Sequence, residues 1–304
     1  MHVGKRERQE DAAAFWQSKD GGALFAVVAD GAGGHGGGAE ASNAAVAEAG
    51  KCWTKWKADG NASEFLADWM RKAHDAVNLS VRHQHADART VAVALLLHGN
   101  QADWGHAGDC RLYHFRKGRM LTRTRDDSVV QVLFEKGEIT EEEMGTHEDQ
   151  NRLLQAIGGS EPPRPRRGSA NLEPEDVLLL CSDGFWERLK LEELEGLVAT
   201  PQKLRAKMLE KTLQLAVKRG GGKSDNASVI MIFPGGIEQE SSIMNSCWRS
   251  LLCVLVAAAV VAIFAAFGPM RQKFRELKQK FQSPSRHQMI RVPSEDNQPA
   301  TPKK

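Results

Sequence analysis

The fold is decided by residues 24–35, LFAVVADGAGGH, in which an unbroken apolar run ends at Asp30-Gly31 and passes into glycines. A short apolar run that contains β-branched residues and ends in a turn pair predicts a buried strand. Comparable runs, each bounded by Gly, Asp or Asn, occur at residues 90–98, 177–181 and 227–233. The chain therefore contains at least four strands that are apolar enough to be buried.

Helical patterns lie between these strands, with apolar residues at three- and four-residue spacing. A glycine turn at Lys117-Gly118-Arg119 predicts a hairpin between residues 104–115 and 120–121. The strands come in groups followed by pairs of helices, which favours an α+β layered domain over a doubly wound sheet. The prolines and arginines of residues 161–168 predict a surface loop. The predicted helices are residues 39–56, 63–83, 191–198 and 201–217.

Composition and charge exclude several classes of protein. Hydrophobic residues make up 41% and charged residues 26% of the 304 residues, which argues against wholesale disorder and against a polytopic membrane protein. The net charge of +2 is uneven, because residues 269–304 carry +6 and the remainder carries −4. A nucleic-acid-binding body is normally basic, so we expect no nucleic acid partner. The five cysteines form no C-x-x-C pair, which argues against a zinc knuckle and indicates reduced thiols in a cytosolic setting.

The carboxyl-terminal region contains 17 consecutive residues without a charge, at positions 251–267. As a helix they span about 26 Å, which is near the short limit for crossing a bilayer. A buried core helix is the alternative, but the polar sequence before this segment and the basic, proline-containing sequence after it disfavour burial. The predicted organisation is a folded domain at residues 1–234, a linker at 235–250, a transmembrane or interfacial helix at 251–268 and a disordered basic tail at 269–304.

The topology of this segment stays open. Positive charge tends to stay on the cytoplasmic side of a membrane, whereas a single crossing after a cytosolic domain places the basic tail outside. A re-entrant or interfacial helix satisfies both conditions. In either arrangement we expect residues 1–234 to form a cytoplasmic domain held at the cell membrane.

Five acidic residues occupy positions in the sequence at which a purely structural role does not readily account for a carboxylate. Asp30 and Asp183 each follow an apolar run and precede glycine, and Asp225 precedes the last predicted strand. Glu10 precedes an apolar start, and Asp109 lies between two predicted strands. One Asp-Gly pair is typical of a turn, but carboxylates gathered at one edge of a core repel each other and acquire raised pKa values unless cations neutralise them. The pattern predicts a site for hard divalent ions, which prefer oxygen ligands.

Short motifs occur in a fixed order along residues 4–233. They are RERQED at 6–11, DGAGGH at 30–35, GDCR at 108–111, NRLLQAIG at 151–158, SDG at 182–184 and SDN at 224–226. In this order and spacing they resemble the metal-dependent serine/threonine protein phosphatases of type 2C, particularly the bacterial members. Each motif is weak alone, but the ordered set makes a chance resemblance improbable.

The resemblance implies a four-layer α-β-β-α sandwich and a site for two Mn²⁺ or Mg²⁺ ions. Asp30 then bridges both ions and belongs to the catalytic centre, with the Gly31 carbonyl and Glu10 on one ion. Asp183 and Asp225 hold the other. A water shared by the two ions attacks phosphorus in line, so no phosphoenzyme is required.

The remaining site residues also follow from the resemblance. Arg6 matches the family's phosphate-binding arginine and belongs to the catalytic centre, where a guanidinium can hold two phosphate oxygens; the alternative is an exposed terminal arginine. Asp109 matches the ligand of a possible third ion, and the alternative is a hairpin turn. Asp11 is expected to orient ligands without binding an ion itself.

Some positions depart from the family's pattern. Ala32 stands where animal members carry a histidine suspected as general acid, and His35 is more typical of a structural residue in a glycine-rich turn. Gln9 and Cys110 replace the usual Asn and Ser. Only five residues precede Arg6, so we expect that the first sheet lacks an edge strand.

The expected substrates are proteins phosphorylated on serine or threonine, which implies an opposing Ser/Thr kinase, and we expect a monomer. The alternative is a catalytically weak phosphatase-like module that senses or regulates one dedicated partner. Metal-dependent cleavage of a simple phosphomonoester distinguishes the two hypotheses.

Overall fold

The computed structural model describes residues 1–33, 37–58, 60–81 and 88–234, all of which belong to one unit, Met1–Gln239. Nine strands and seven α-helices are present in these residues. The strands are β1 Ala12–Gln17, β2 Ala23–Ala32, β3 Arg89–His98, β4 Gln101–Ala107, β5 Arg111–Arg116, β6 Arg119–Arg123, β7 Arg166–Asn171, β8 Asp176–Cys181 and β9 Val229–Ile232. The helices are α1 Gly37–Trp53, α2 Ala62–Ser80, α3 Val129–Glu135, α4 Glu141–Met144, α5 Asp183–Trp186, α6 Leu191–Val198 and α7 Arg205–Gly220.

The strands form two antiparallel sheets. The first has the order β1-β2-β3-β4-β7, and the second has the order β6-β5-β8-β9. The central strand β2 is buried on both faces because its side chains alternate between two cores. Phe25 and Val27 pack towards α1 and α2, whereas Ala26 and Val28 pack towards the second sheet.

Three apolar clusters separate four layers. One cluster joins the first sheet to α1 and α2, for example through Trp69. The second lies between the sheets and includes Leu112 and Leu180 of the second sheet. The third joins the second sheet to α6 and α7, for example through Leu194. This helix-sheet-sheet-helix order agrees with the α+β sandwich expected from the sequence.

The helix α2 illustrates why the sequence forms these elements. Its amino end is capped by Asn61, whose side chain accepts a hydrogen bond from the main-chain N–H of Glu64 at 3.1 Å. Such a cap satisfies one of the N–H groups that the first turn leaves without a partner. Apolar residues at helical spacing then form one buried face, which includes Leu66, Trp69, Met70, Ala73 and Val77.

The predicted hairpin of residues 104–115 and 120–121 is partly wrong. The hairpin consists of β5 and β6, whereas β4 pairs with β3 and β7 in the other sheet. The chain therefore crosses from one sheet to the other at residues 108–110. The predicted surface loop is also wrong at its end, because β7 begins at Arg166 and pairs with β4.

Residues 1–11 form no strand. His2 and Ala227 form one isolated bridge with two main-chain hydrogen bonds of 2.8 and 2.9 Å. The edge of the first sheet is instead β1, which the apolar start after Glu10 provides. The expectation of a first sheet without its edge strand is therefore wrong for this sheet.

None of the helices formed by the described residues is both long and apolar enough to cross a membrane. The predicted linker at 235–250, the predicted membrane segment at 251–268 and the predicted tail at 269–304 lie outside the described residues, as does His35.

Candidate active site

All of the predicted site residues except Asp11 line one cavity of about 430 Å³, where β2 and β8 end. Its described lining contains five carboxylates and one cation, Arg6, which leaves a formal excess of four negative charges. Each carboxylate comes from a different part of the chain. One of the five lies in the segment that connects β4 to β5. The acidic residues are Glu10, Asp30, Asp109, Asp183 and Asp225.

The end of β2 is fixed by main-chain contacts on both sides. The N–H of Gly31 donates to the carbonyl of Glu10 at 3.1 Å, and the Thr90 hydroxyl donates to the carbonyl of Asp30 at 2.6 Å. A Cβ atom on Gly31 would lie 2.1 Å from the carbonyl oxygen of Gly38. Glycine is thus required here because the first turn of α1 lies directly against the strand end.

The end of β8 brings Asp183 next to the segment that carries Asp225. Ser182 and Ser228 exchange hydrogen bonds: the Ser182 N–H donates to the Ser228 carbonyl at 3.1 Å, and the Ser228 N–H donates to Ser182 Oγ at 3.0 Å. A Cβ atom on Gly184 would lie 2.0 Å from the carbonyl oxygen of Asn226. The S-D-G motif is explained by this close approach of two main chains.

Asn226 holds the amino-terminal segment at the cavity. Its Oδ1 accepts from the N–H of Glu10 at 2.6 Å, and its Nδ2 donates to the carbonyls of Val3 at 2.8 Å and Arg8 at 3.0 Å. The side chain is buried, with 3% of the residue exposed. Both Arg6 and Glu10 lie within the segment that these bonds fix. In the sequence, Asn226 is recognisable only as part of the SDN motif, which gives no indication of this role.

Asp109 lies at the crossing between the two sheets. Gly108 adopts a left-handed conformation with φ +96°, and its carbonyl accepts from the N–H of Asp127 at 2.8 Å. The indole N–H of Trp186 donates to the carbonyl of Asp109 at 3.0 Å. The alternative of a hairpin turn is therefore wrong, because β4 and β5 belong to different sheets, and the buried carboxylate of Asp109 lines the cavity with the other acidic residues.

Burial and repulsion between carboxylates raise the pKa values of three acidic groups of the cavity, Asp30, Asp109 and Asp183. The pKa of Asp30 lies well above its ordinary value, because of burial first and then repulsion from Asp183 and Asp11. The pKa of Asp109 is raised well above its ordinary value by burial and by Asp183. Burial and repulsion from Asp225 also raise the pKa of Asp183. These shifts have the direction expected for carboxylates gathered without enough positive charge.

Asp11 lies behind the cavity wall. It is 2% exposed, and its Oδ2 accepts from the Ser182 hydroxyl at 2.7 Å. Burial is the main reason that its pKa rises to about 7. Through Ser182, Asp11 supports the end of β8. The expectation that Asp11 orients metal ligands stays a prediction.

Arg6 forms an ion pair with Asp225 at the rim of the cavity. Its Nη2 donates to Asp225 Oδ2 at 2.6 Å, and its side chain is 57% exposed. The hydrogen bond that Arg6 donates to Asp225 raises the pKa of Arg6. The guanidinium is therefore cationic and accessible at the position where the sequence predicts phosphate binding.

The donor set fits hard divalent cations. Carboxylate and main-chain oxygens are the ligands that Mg²⁺ and Mn²⁺ prefer, and two such ions carry the four positive charges that the cavity lining lacks. Within the residues that the structure describes, no three acidic, histidine or cysteine side chains already surround a single point. The fit therefore rests on the excess of negative charge in the cavity lining and on the chemistry of the donors.

The segment after β6 closes one side of the cavity through Asn151 and Leu153. The N–H of Leu154 donates to the carbonyl of Asp127 at 2.7 Å, and the N–H of Val129 donates to the carbonyl of Arg152 at 2.9 Å. Asn151 and Leu153 belong to the NRLLQAIG motif, and the sequence alone predicts no role in the site for either residue. Ala32, the position without the expected histidine, is exposed and also lines the cavity.

Comparisons with known proteins agree with this geometry. A family model described as Protein phosphatase 2C matches residues 1–219. Protein phosphatase PhpP of Streptococcus pneumoniae serotype 2 is 29% identical over 231 residues, which cover 75% of this chain and 92% of the relative.

Solved structures show the same fold. The serine/threonine phosphatase of S. agalactiae superposes with a TM-score of 0.65 at 27% identity, covering 76% of this chain and 95% of that one. The catalytic domain of the serine/threonine protein phosphatase PstP in complex with two manganese ions gives a TM-score of 0.64 at 28% identity, covering 76% and 94%. The resemblance inferred from the motifs is confirmed: the chain belongs to the protein phosphatase 2C family.

Proposed function

We propose that this chain is a metal-dependent protein phosphatase that hydrolyses phosphoserine and phosphothreonine in proteins. The observation that carries the proposal is the cavity in which five carboxylates face a single accessible arginine. Membership of the protein phosphatase 2C family supports the same activity. The alternative of a catalytically weak sensing module is disfavoured because every acidic position that the chemistry needs is present in the cavity.

The residues that would hold two Mn²⁺ or Mg²⁺ ions are Glu10, Asp30, the Gly31 carbonyl, Asp183 and Asp225, with Asp109 available to a third. When bound, such ions lower the pKa of a water molecule and neutralise charge on a phosphoryl group. The chain's own contribution is to keep these donors together despite their repulsion. The hydrogen bonds at the ends of β2 and β8 perform this task.

Arg6 would bind the phosphoryl group of the substrate. A guanidinium presents parallel N–H groups that match two phosphate oxygens, and such charge-assisted bonds are among the strongest in proteins. Asn226 fixes the main chain on both sides of Arg6, at Val3 and Arg8. Binding energy is therefore not lost in ordering this segment each time a substrate binds.

Asp30 and Asp183 provide the direct test. We expect Asp30→Asn and Asp183→Asn to lower kcat/KM on a phosphoserine peptide with Mn²⁺ by at least about a hundredfold, since each removes a negative donor from the cavity. Asp75→Asn is the matched control, because Asp75 lies on α2 with its side chain 70% exposed. Full activity in both cavity variants, measured by phosphate release, would refute the proposed mechanism.

We also propose that residues 251–268 tether the catalytic domain to the cytoplasmic face of the cell membrane. The support is in the sequence: 17 residues without charge, preceded by Arg249 and followed by a basic tail. Deletion of residues 247–304 should move active protein from the membrane fraction to the soluble fraction. Full-length protein that is soluble without detergent would remove this part of the proposal.

The proposal includes two further expectations about partners. Proteins phosphorylated on serine or threonine require an opposing kinase, and the catalytic domain is expected to act as a monomer. Size-exclusion chromatography with light scattering on the detergent-solubilised full-length chain tests the second expectation, and a dimer mass would overturn it.

A further inference from the structure

A second cavity, of about 660 Å³, adjoins the candidate active site. We call it the flanking groove; it lies between residues 151–164 and the ends of β2 and β3. The two cavities share four lining residues, Ala32, Gly33, Asn151 and Leu153. Its volume is in the range of about 300–1,000 Å³ that is usual for ligand sites. A substrate bound in the first cavity therefore has a continuous path into the second.

The wall of the flanking groove is held rigidly by α2 and β3. Thr90 and Ile157 exchange main-chain hydrogen bonds of 2.9 and 2.7 Å. Asn78 on α2 accepts from the Gly159 N–H at 2.8 Å and donates to the Gly159 carbonyl at 3.0 Å. The N–H of Gly158 donates to Nδ1 of His74 at 3.1 Å. A groove with a wall fixed in this way is preformed for a ligand.

Arg89 lies against this wall with its guanidinium over Gly159. A Cβ atom on Gly159 would lie 3.0 Å from Arg89 Nε and 3.2 Å from its Cζ, so the absence of a side chain at residue 159 makes room for the arginine. Gly159 also has φ +87°, a conformation that favours glycine. The main chain beside Arg89 is thus adapted to the position of its guanidinium.

The charge of the flanking groove is opposite to that of the active-site cavity. Its described lining contains Arg89 and Arg164 against one carboxylate, Glu161. The main-chain N–H of Arg164 donates to Gln155 Oε1 at 2.7 Å, and this hydrogen bond fixes the loop segment that carries the second arginine. Arginine side chains pair well with carboxylates because the guanidinium and the carboxylate are both planar and bidentate.

We propose that the flanking groove binds the polypeptide next to the phosphorylated residue of a substrate, and that Arg89 pairs with an acidic side chain in that polypeptide. This inference rests on the proposed phosphatase function. It adds a preference for acidic sequence beside the phosphoserine, set by a residue that takes no part in the chemistry at phosphorus.

The test uses phosphoserine peptides on an alanine background, with one glutamate or one lysine placed in turn at the three positions on each side. Phosphate release with Mn²⁺ gives kcat/KM for the full-length protein. At one or more positions we expect the glutamate peptide to exceed its lysine counterpart by about three- to fivefold, the effect of one partly exposed ion pair. The difference should lie mainly in KM, because the contact is remote from the phosphorus.

Variants of Arg89 show whether this residue is responsible for the preference for glutamate over lysine peptides. In Arg89→Gln the ratio between glutamate and lysine peptides should fall towards one, whereas Arg89→Lys should retain part of it. Arg71→Gln is the matched control: Arg71 is an exposed arginine on α2 that pairs with Asp68 and lines neither cavity, and the ratio should be that of the unaltered protein.

Two results would overturn the inference while the phosphatase function stands. One is equal kcat/KM for glutamate and lysine peptides at every position, and the other is a ratio that Arg89→Gln leaves unchanged. Failure of the unaltered protein to cleave either the alanine peptide or p-nitrophenyl phosphate, which has no flanking chain, would instead refute the proposed function and the inference together.

Discussion

Replacement of Asn226 by alanine tests how the site is assembled. The substitution removes three hydrogen bonds, of 2.6, 2.8 and 3.0 Å, between one buried amide and the amino-terminal segment. It leaves the N–H of Glu10 and the carbonyls of Val3 and Arg8 without these partners. No charge is removed, so the effect isolates the positioning of the segment from the electrostatics of the cavity.

The magnitude follows from the number and burial of these bonds. A hydrogen bond contributes about 0.5–1.5 kcal/mol net, so three contribute about 1.5–4.5 kcal/mol. Val3 and Arg8 are exposed, and water can reach their carbonyls once the amide is removed. We therefore expect Asn226→Ala to lower the free energy of unfolding by about 2–3 kcal/mol. We also expect kcat/KM to fall at least about tenfold, because Arg6 and Glu10 lose their fixed positions.

Two measurements check this prediction. Denaturant unfolding followed by the fluorescence of the seven tryptophans gives the free energy of unfolding. Phosphate release from a phosphoserine peptide, at a temperature where the variant is folded, gives kcat/KM. Asn43→Ala is the control, since Asn43 is exposed on α1 and makes one hydrogen bond, to the Ala39 carbonyl. If Asn226→Ala lowers the free energy of unfolding by less than about 1 kcal/mol and leaves kcat/KM unchanged, the Asn226 amide does not hold the amino-terminal segment in place.

Three other outcomes follow from the structure. Burial opposes ionisation of Asp176, but hydrogen bonds from Arg116 at 2.7 and 2.9 Å, together with those from the Glu173 N–H and His114, outweigh burial and lower the pKa of Asp176 to about 2. Asp176→Asn should therefore reduce the free energy of unfolding by about 2–3 kcal/mol at neutral pH, measured by denaturant unfolding. Because that pKa is depressed, the difference in Tm between the two proteins should be complete above about pH 4 and shrink as the pH falls towards 2. Gly31→Ala should lower the free energy of unfolding by about 3 kcal/mol or more, because the added Cβ would meet the Gly38 carbonyl. Gly196→Ala adds a Cβ with nothing within 4 Å, so it should raise the free energy of unfolding by about 0.5–1 kcal/mol through the stability of α6. Thermal melts should therefore show a lower Tm for the first variant and a higher Tm for the second.

The strands that could be predicted from the sequence are those buried on both faces. The runs at residues 90–98 and 177–181 correspond to β3 and β8 within one residue at each end, because continuous apolar composition is required where two cores meet. β7 was missed since its sequence, RRGSAN, contains one apolar residue and pairs through its main chain at a sheet edge. Composition carries no signal for such a strand.

The acidic residues of the site could be predicted, but the residues that position them could not. A carboxylate after an apolar strand is unusual, so Asp30 and Asp183 were recognisable from sequence alone. The amide of Asn226 and the hydroxyl of Ser182 are common side chains with common neighbours. Their roles depend on partners 216 and 171 residues away, and no local pattern records such distances.

The connection from β4 to β5, where the chain passes from one sheet to the other, could not be predicted from the sequence either. The residues of this region were predicted as strand on both sides of Asp109, but the sheet to which each strand belongs depends on partners elsewhere in the chain. Gly108 marks the point where the chain changes sheet, because a Cβ atom there would lie 2.1 Å from Cγ1 of Val91. From sequence alone, such a glycine cannot be distinguished from one in an ordinary hairpin turn.

The bonds from Asn226 to Val3 and Arg8 join positions 223 and 218 residues apart. At translation rates of about 5–20 residues per second, the ribosome needs roughly 10–45 s to connect the two. During that interval Arg6 and Glu10 have already emerged, and the Gly31 N–H can already bind the Glu10 carbonyl, but Asp225, the ion-pair partner of Arg6, does not yet exist. The cavity described above is therefore complete only when residues 225 and 226 have been synthesised.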